Sequence, residues 1–443
     1  MALKSVNTFL SGSVLLPGDK SVSHRALIFP ALIAGQFKVN GALASLDCLA
    51  TARAMQTIGL DIEGLPTEPG GRCQLTIKSP GLEGLRKTVQ GREMVIDAGN
   101  SGTTVRLLSG LCAGLPATFV FDGDASLRRR DMNRVLEPLQ MMGAEVTYLG
   151  EPGYVPFKIK GGSLKARIFS LDIDSAQVST ALLLAGAQAK GRTAVSTRHL
   201  IRDHTPRMLS YLGLPVEENG LTLAISNGSA EPMGHLIEVP ADISSAAFFM
   251  VAAALLPGSL LVLPGCGVNP GRRLVIDVLR SMGASIELTR ERMFGEEPVA
   301  DIVVSYNGPL HGVAVDAHQI ASGIDELPVL ALAFAFARGI SEVHGAAELA
   351  HKESDRLTMI SGNLAMLGAI VECSEDGFAV LGGLPLSRKV GLWKTERDHR
   401  IAMTGLIAQL ICGALEVDDA HCVDVSYPGF GADLAGVARR SAH

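Results

Sequence analysis

Aromatic side chains are scarce in this sequence, 5% of residues with a single Trp, while glycine is abundant at 49 positions. The core is therefore expected to be assembled from Ala, Leu, Val and Ile, which lets helices pack closely. The seven cysteines (Cys48, Cys73, Cys112, Cys266, Cys373, Cys412 and Cys422) are odd in number and form no C-x-x-C pair. Neither a disulfide framework nor a zinc site is indicated, and Cys112, inside an apolar run, reads as packing. His24, His351 and His399 lack H-x-x-x-H or H-E-x-x-H spacing, so no metal and no other cofactor is expected. Basic residues are not in excess: 39 Lys and Arg stand against 45 Asp and Glu, a net charge of −6. General attraction to nucleic acid or to an anionic membrane is not expected. The longest apolar run, Ala246 to Leu256, ends at Pro257, too short to span a bilayer, and the chain start shows no apolar segment with a cleavage site. The expectation is a cytoplasmic protein of 443 residues, 47% of them hydrophobic, folded into two or three domains with large cores.

What is present is a repeat. A polar start followed by a small-residue apolar run and a closing Gly recurs at Asp19–Gly35, Asn100–Gly114, Asp174–Gly186, Asp242–Gly258, Asp325–Gly339 and Asp398–Gly413, with starts 81, 74, 68, 83 and 73 residues apart. Between these runs lies a second echo, an amphipathic helix closing on Gly and leading into an alternating strand: Ala54–Ile62, Val135–Val146, Met208–Val216, Val275–Ile286 and Leu364–Val371. Gly59, Gly143, Gly213, Gly283 and Gly368 fit the left-handed position after a helix. Met141 and Met142 belong to one of these amphipathic helices and read as core. The sixth copy, after Tyr427, is truncated. The pattern predicts six α/β units, each with one helix apolar on nearly all sides and one amphipathic helix outside it. Three such units can enclose three buried helices, so six units make two domains.

The buried helices open on Asp, Asn or Ser, good N-caps at the end where unpaired N–H groups favour anions. The same starts carry reactive side chains: Lys20, Ser21 and Arg25; Asn100, Ser101 and Thr103; Ser175 and Gln177; Asp325 and Glu326; Asp398 and Arg400. Lys20 and Arg25 lie about one and a half turns apart, so with Ser21 they can form a cradle for phosphate or carboxylate, or simply a capped helix with solvated cations.

The segments LPGDKSVSHRAL, DAGNSGTTVRLLSG, DSAQVSTALLLAGA, RDHTPRML, IDELPVLALAFAFARG, HKESDRL and RDHRIAM occur in this order between about residues 16 and 430. Together they resemble the signatures of the 5-enolpyruvylshikimate-3-phosphate (EPSP) synthase family of enolpyruvyl transferases. The resemblance implies a two-domain α/β fold of six βαβαββ repeats, three per domain around buried helices, with the active site between the domains and closure on substrate. It implies a first domain of residues 1–20 plus 241–443, a second of 21–240, and hinges near 18–20 and 239–241. It further implies transfer of the enolpyruvyl group of phosphoenolpyruvate to the 5-hydroxyl of shikimate 3-phosphate, through a tetrahedral intermediate that expels phosphate, in a monomer of the cytoplasm that acts in aromatic amino-acid biosynthesis.

Carried over by motif, the resemblance assigns shikimate 3-phosphate to Lys20, Ser21, Arg25, Ser175, Ala176, Gln177, Arg202, Asp325 and Lys352. It assigns phosphoenolpyruvate to Lys20, Gly102, Thr103, Arg130, Gln177, Arg356 and Arg400. Asp325 becomes the base at the 5-hydroxyl, Glu353 the proton donor to the methylene carbon, and Lys20 an aid to either transfer; the plainer readings are a helix cap for Asp325 and an Arg356 ion pair for Glu353. Both substrates are polyanions, which suits seven motif-borne cations in an acidic chain. In the Arg128–Arg130 run only Arg130 belongs to the motif. Three departures stand out. Asp131 replaces the family's usual Pro and could pair with Arg130, the SYP segment after Val425 lacks the Lys common near the end of the family pattern, and Gly102 is kept where some herbicide-tolerant members have Ala, which leaves room for glyphosate.

Two other readings compete. UDP-N-acetylglucosamine enolpyruvyl transferase shares the expected fold and chemistry, but its early Lys-Asn pair is replaced here by Lys20-Ser21, and the segment Asp124 to Asp131 holds no Cys. A noncatalytic anion-binding protein of the same fold would have no use for Asp325, Glu353 and Lys20 together with the cations.

Overall fold

The computed structural model describes residues 8–228, 235–383, 391–413 and 415–440. Each of the six apolar runs becomes a helix: Lys20–Ile28, Gly102–Ala113, Ala176–Gly186, Ile243–Leu255, Leu327–Phe336 and His399–Cys412. The Ile243 helix is buried from Ile243 to Ala254 and the Leu327 helix from Leu327 to Ala335. Neither offers a polar face to water, so both depend on neighbours on every side. The five amphipathic helices end at Gly59, Gly143, Gly213, Gly283 and Gly368, all with positive φ between 80° and 122°.

The chain divides into two compact units. One comprises residues 1–17, 241–292 and 298–443, the other residues 18–240 and 293–297. Each encloses its own apolar cluster, one running from Val22 to Val239 and the other from Leu10 to Val437.

Four sheets share one strand order. Glu93–Asp97 runs parallel to Thr118–Asp122, which pairs antiparallel with Phe157–Lys160, itself antiparallel to Glu145–Tyr148. Ile168–Ser170, Arg192–Ser196, Thr222–Ser226 and Val216–Asn219 repeat it. So do Ala314–Val315, Gly339–His344, Gly377–Gly382 and Ile370–Cys373.

The fourth instance is completed by a strand distant in sequence. Its parallel edge strand is Leu236–Glu238, laid beside Ala34–Ala44 from some two hundred residues further along the chain. In the same way Thr8–Ser13 lies parallel to Leu260–Gly267 in the first unit. Each borrowed strand is followed at once by a passage from one unit to the other, at 17/18 and at 240/241. The sixth repeat is the short one: among the described residues its sheet is the parallel pair Gly391–Trp393 and Leu415–Val417. The chain then adds the helix Phe430–Val437 and the strand Ala438–Arg440, antiparallel to Thr8–Ser13.

Small residues set the helix spacing. A Cβ built on Gly110 of the Gly102 helix would lie 2.1 Å from the carbonyl oxygen of Ala181 in the Ala176 helix. Only glycine permits that approach. In the second unit the motif residues sit at the N-terminal ends of these helices.

Candidate active site

In the second unit Asp19 caps the Lys20 helix, accepting from Val22 N at 2.9 Å. Lys20 Nζ is ion-paired with Asp47, a largely buried carboxylate in the first turn of the helix Leu46–Ile58. Arg25, 2% exposed, donates through Nε to Thr205 Oγ1 and through Nη2 to Thr180 Oγ1, both at 2.8 Å, and through Nη1 to Ser21 O at 2.9 Å. It ties the Lys20 helix to the Ala176 helix and to the first turn of the helix His204–Tyr211. Arg202 lies partly buried just ahead of the helix His204–Tyr211.

Ser101 and Ser175 cap the Gly102 and Ala176 helices, accepting from Thr104 N and Val178 N. The two starts are joined through Gln177, whose Nε2 donates to Thr103 Oγ1 at 2.9 Å while its Oε1 accepts from Arg106 Nη1 at 2.9 Å. Arg106 also donates to Asp131 O at 3.1 Å, and Arg130 Nη2 donates to Asn100 Oδ1 at 3.1 Å. Asp131 itself accepts from Asn133 N at 3.0 Å and stands 3.9 Å from Arg134. Behind these groups runs a buried polar chain. His24 Nδ1 lies 2.8 Å from Thr51 Oγ1, Thr51 2.6 Å from Thr104 Oγ1, and Thr104 donates to Ser101 Oγ at 2.7 Å. Burial, then the charges of Lys20 and Arg25, hold the His24 imidazole well below its usual pKa, so it is neutral at pH 7.

In the first unit Arg356 is the hub. Only 1% of its side chain is exposed, and three carboxylates converge on it. Nη1 donates to Asp325 Oδ1 at 3.0 Å, Nη2 to Glu353 Oε2 at 2.6 Å, and Nε to Asp398 Oδ2 at 2.7 Å. Burial alone would lower the pKa of Arg356, but Asp398, Glu353 and Asp325 override it and hold the guanidinium above its ordinary range. Burial would likewise raise Asp398, yet the Arg356 charge leaves it below the carboxylate norm. Lys352 Nζ reaches Asp325 Oδ1 at 3.3 Å. Arg400, in the first turn of a helix capped by Asp398, donates to Asp325 O at 3.1 Å and lies 3.4 Å from Glu326 Oε1.

The structure thus brings together Asp325, Lys352, Glu353, Arg356 and Arg400 in one unit, and Lys20, Ser21 and Arg25, with Gly102, Thr103, Arg130, Ser175, Ala176, Gln177 and Arg202, in the other. Arg356, expected to hold phosphoenolpyruvate, is committed to carboxylates through all three of its nitrogens, and Arg25 is buried among hydroxyl partners. Sequence reasoning missed Asp47, Arg106 and the grip of Asp398 on Arg356. Arg106 lay inside the NSGTTVRLLSG segment, three positions after Thr103, and Asp398 stood among the helix-start side chains with no link to Arg356; Asp47 gave no signal. Burial pushes the Cys48 thiol up to about 12 and that of Cys112 well above the usual thiol range. Among the described residues no group of His, Cys, Asp and Glu is arranged to hold a metal ion, and no helix is long and apolar enough to cross a membrane.

The fold is that of the enolpyruvyl transferases. It superposes on an enolpyruvyl transferase, NikO from Streptomyces tendae, with a TM-score of 0.72 at 16% identity, covering 99% of this chain and 98% of that one. The chain belongs to the EPSP synthase (3-phosphoshikimate 1-carboxyvinyltransferase) family, whose model matches residues 5–434. It is 45% identical over 429 residues to the 3-phosphoshikimate 1-carboxyvinyltransferase of Pelotomaculum thermopropionicum, covering 97% of this chain and 96% of the relative. It is 40% identical to that of Oceanobacillus iheyensis, covering 99% of each. A solved EPSP synthase from Acinetobacter baumannii matches with a TM-score of 0.84 and 37% identity over 98% of both chains.

Proposed function

We propose that this protein transfers the enolpyruvyl group of phosphoenolpyruvate to the 5-hydroxyl of shikimate 3-phosphate and releases phosphate. The observation that carries the reading is the Asp325–Arg356–Glu353 cluster, two solvent-reachable carboxylates held on one buried arginine beside Lys352 and Arg400. An arriving carboxylate or phosphate competes with Asp325 and Glu353 for Arg356, so binding the substrate frees the two groups that have to move protons. Asp325 takes the proton of the 5-hydroxyl as its oxygen bonds to C2. Glu353, in its protonated form once substrate has taken its place on Arg356, gives that proton to C3. It takes one back as the C–O bond to phosphate breaks and the double bond re-forms, while the hydroxyl proton held by Asp325 leaves with the phosphate. Lys20, neutralised by Asp47 in the absence of substrate, assists either transfer.

Shikimate 3-phosphate is assigned to Lys20, Ser21, Arg25, Ser175, Ala176, Gln177, Arg202, Asp325 and Lys352. Phosphoenolpyruvate is assigned to Lys20, Gly102, Thr103, Arg130, Gln177, Arg356 and Arg400, with the arginines as planar partners for its two anionic ends. The reading includes a cytoplasmic monomer inhibited by glyphosate in competition with phosphoenolpyruvate, which sedimentation and inhibition kinetics check. The deciding experiment is phosphate release from phosphoenolpyruvate with shikimate 3-phosphate or UDP-N-acetylglucosamine as acceptor. Release with shikimate 3-phosphate alone supports the proposal, release with the sugar nucleotide alone replaces the acceptor, and release with neither removes the enzymatic reading.

A further inference from the structure

Glu326 follows Asp325 directly and lies at the start of the Leu327 helix, with its side chain wholly sealed from solvent. A carboxylate in that position is costly unless it is fully engaged, and Glu326 is engaged on one side only. Its Oε1 accepts from Ser244 Oγ and stands 3.4 Å from Arg400 Nη1 and 3.8 Å from Arg272 Nη2. Its Oε2 is buried without a hydrogen-bond partner and faces Gly323, where a Cβ would lie 2.9 Å away. The three contacts of Oε1 come from different places. Ser244 opens the Ile243 helix, Arg400 belongs to the first turn of the His399 helix, and Arg272 is a buried residue that also donates to Ser244. One oxygen therefore joins the N-terminal ends of all three buried helices of this unit. A pure core brace could be apolar, since removing a buried ion pair in favour of packed side chains is often neutral or stabilising. What a carboxylate adds is a fixed direction for a guanidinium.

We infer that Glu326 is a positioning residue that holds the Arg400 guanidinium in its anion-binding orientation, with Asp325 O as the second anchor. The inference rests on the assignment of Arg400 to phosphoenolpyruvate. Without the Glu326 charge, Arg400 keeps one anchor and rotates more freely, so the cost falls on capture of phosphoenolpyruvate and not on shikimate 3-phosphate.

The test is steady-state kinetics of Glu326→Gln, Arg400→Lys and the double variant, each substrate varied in turn, with thermal melts alongside. Glu326→Gln is expected to raise KM for phosphoenolpyruvate about tenfold, with kcat changed less than about threefold and KM for shikimate 3-phosphate unmoved. In the double variant Glu326→Gln is expected to add less than about twofold to the effect of Arg400→Lys, because both act through one side chain. A folded Glu326→Gln protein with an unchanged KM for phosphoenolpyruvate overturns the inference, as does an equal rise for both substrates. Should Glu326→Gln fail to fold, Glu326→Asp decides: a selective rise in KM for phosphoenolpyruvate supports the role and an unchanged one overturns it. If Arg400→Lys leaves that KM unchanged, the assignment of Arg400 falls, and this inference with it. A rise in Arg400→Lys without one in a folded Glu326→Gln protein removes only the inference.

Discussion

Asp398 Oδ2 accepts from Arg356 Nε at 2.7 Å, with 0% of the aspartate and 1% of the arginine side chain exposed. The same carboxylate caps the His399 helix through Arg400 N at 2.9 Å and accepts from Ser354 Oγ at 3.1 Å. Removing it takes one of three carboxylates from a buried cation and opens a helix end. Asp398→Ala is expected to lose about 3–5 kcal/mol of stability, measured by urea unfolding, with Asp398→Asn losing less because it can still cap. The folded-state pKa of Asp398 is depressed, so its contribution is present above the unfolded value of about 3.9 and is lost as pH falls through the folded value. Acid unfolding of the wild type is therefore expected to be steeper than that of Asp398→Asn.

His24 sets a second pH dependence, of the opposite chemical kind. Its folded pKa lies below the unfolded value of about 6.5, so between the two the unfolded chain binds more protons and stability falls as pH falls. Replacing His24 by Gln, which keeps one polar group near Thr51, is expected to flatten the stability profile between about pH 6.5 and 5. Unfolding midpoints measured across that range check it, and an unchanged slope would exclude His24 as the source.

The proton-transfer assignments separate by kinetics. Asp325→Asn and Glu353→Gln are each expected to lower kcat by about 10²–10⁴-fold while the protein stays folded. Full turnover in Asp325→Ala would sink its role as base. Deuterium incorporation into the methylene carbon of phosphoenolpyruvate is expected to collapse in Glu353→Gln, which distinguishes a proton donor from a mere Arg356 partner.

Gly102 tests the phosphoenolpyruvate half of the site. A Cβ there would lie 3.1 Å from Arg106 Nη1 and 3.4 Å from Arg130 Nη1, and the φ of Gly102 is one that alanine adopts. Gly102→Ala is expected to fold normally and to raise KM for phosphoenolpyruvate by about tenfold through these two arginines. Gly110→Ala is expected to do the reverse, costing about 3 kcal/mol of stability because Ala181 O has nowhere to go.

The buried helices were legible because a helix apolar all round writes an unbroken run, and the Gly-terminated amphipathic helices because their caps need a left-handed residue. The sheets were not legible in the same way. Leu236–Glu238 pairs with Lys38–Asn40 across the whole second unit, a contact that no local period can encode. Within the site, Lys20 and Asp325 were found at helix starts inside recognisable motifs, and Glu353 and Arg356 through the HKESDRL segment that carries the family resemblance. Arg106, Asp398 and Glu326 act through other side chains, and a residue whose partners are distant in sequence looks like any other charge on a helix.

The chain passes between its two units at 17/18, 240/241, 292/293 and 297/298. The last two crossings come from the segment 293–297, whose Glu297 Oε1 lies 2.8 Å from buried His204 Nδ1 and whose Glu296 accepts from Ser210 and Arg207. Neither unit is therefore a continuous stretch of gene. A fragment spanning 18–240 would lack the Glu297 contact to His204 and the Glu296 contacts to Ser210 and Arg207, so the second unit is complete only with a segment supplied from beyond residue 292.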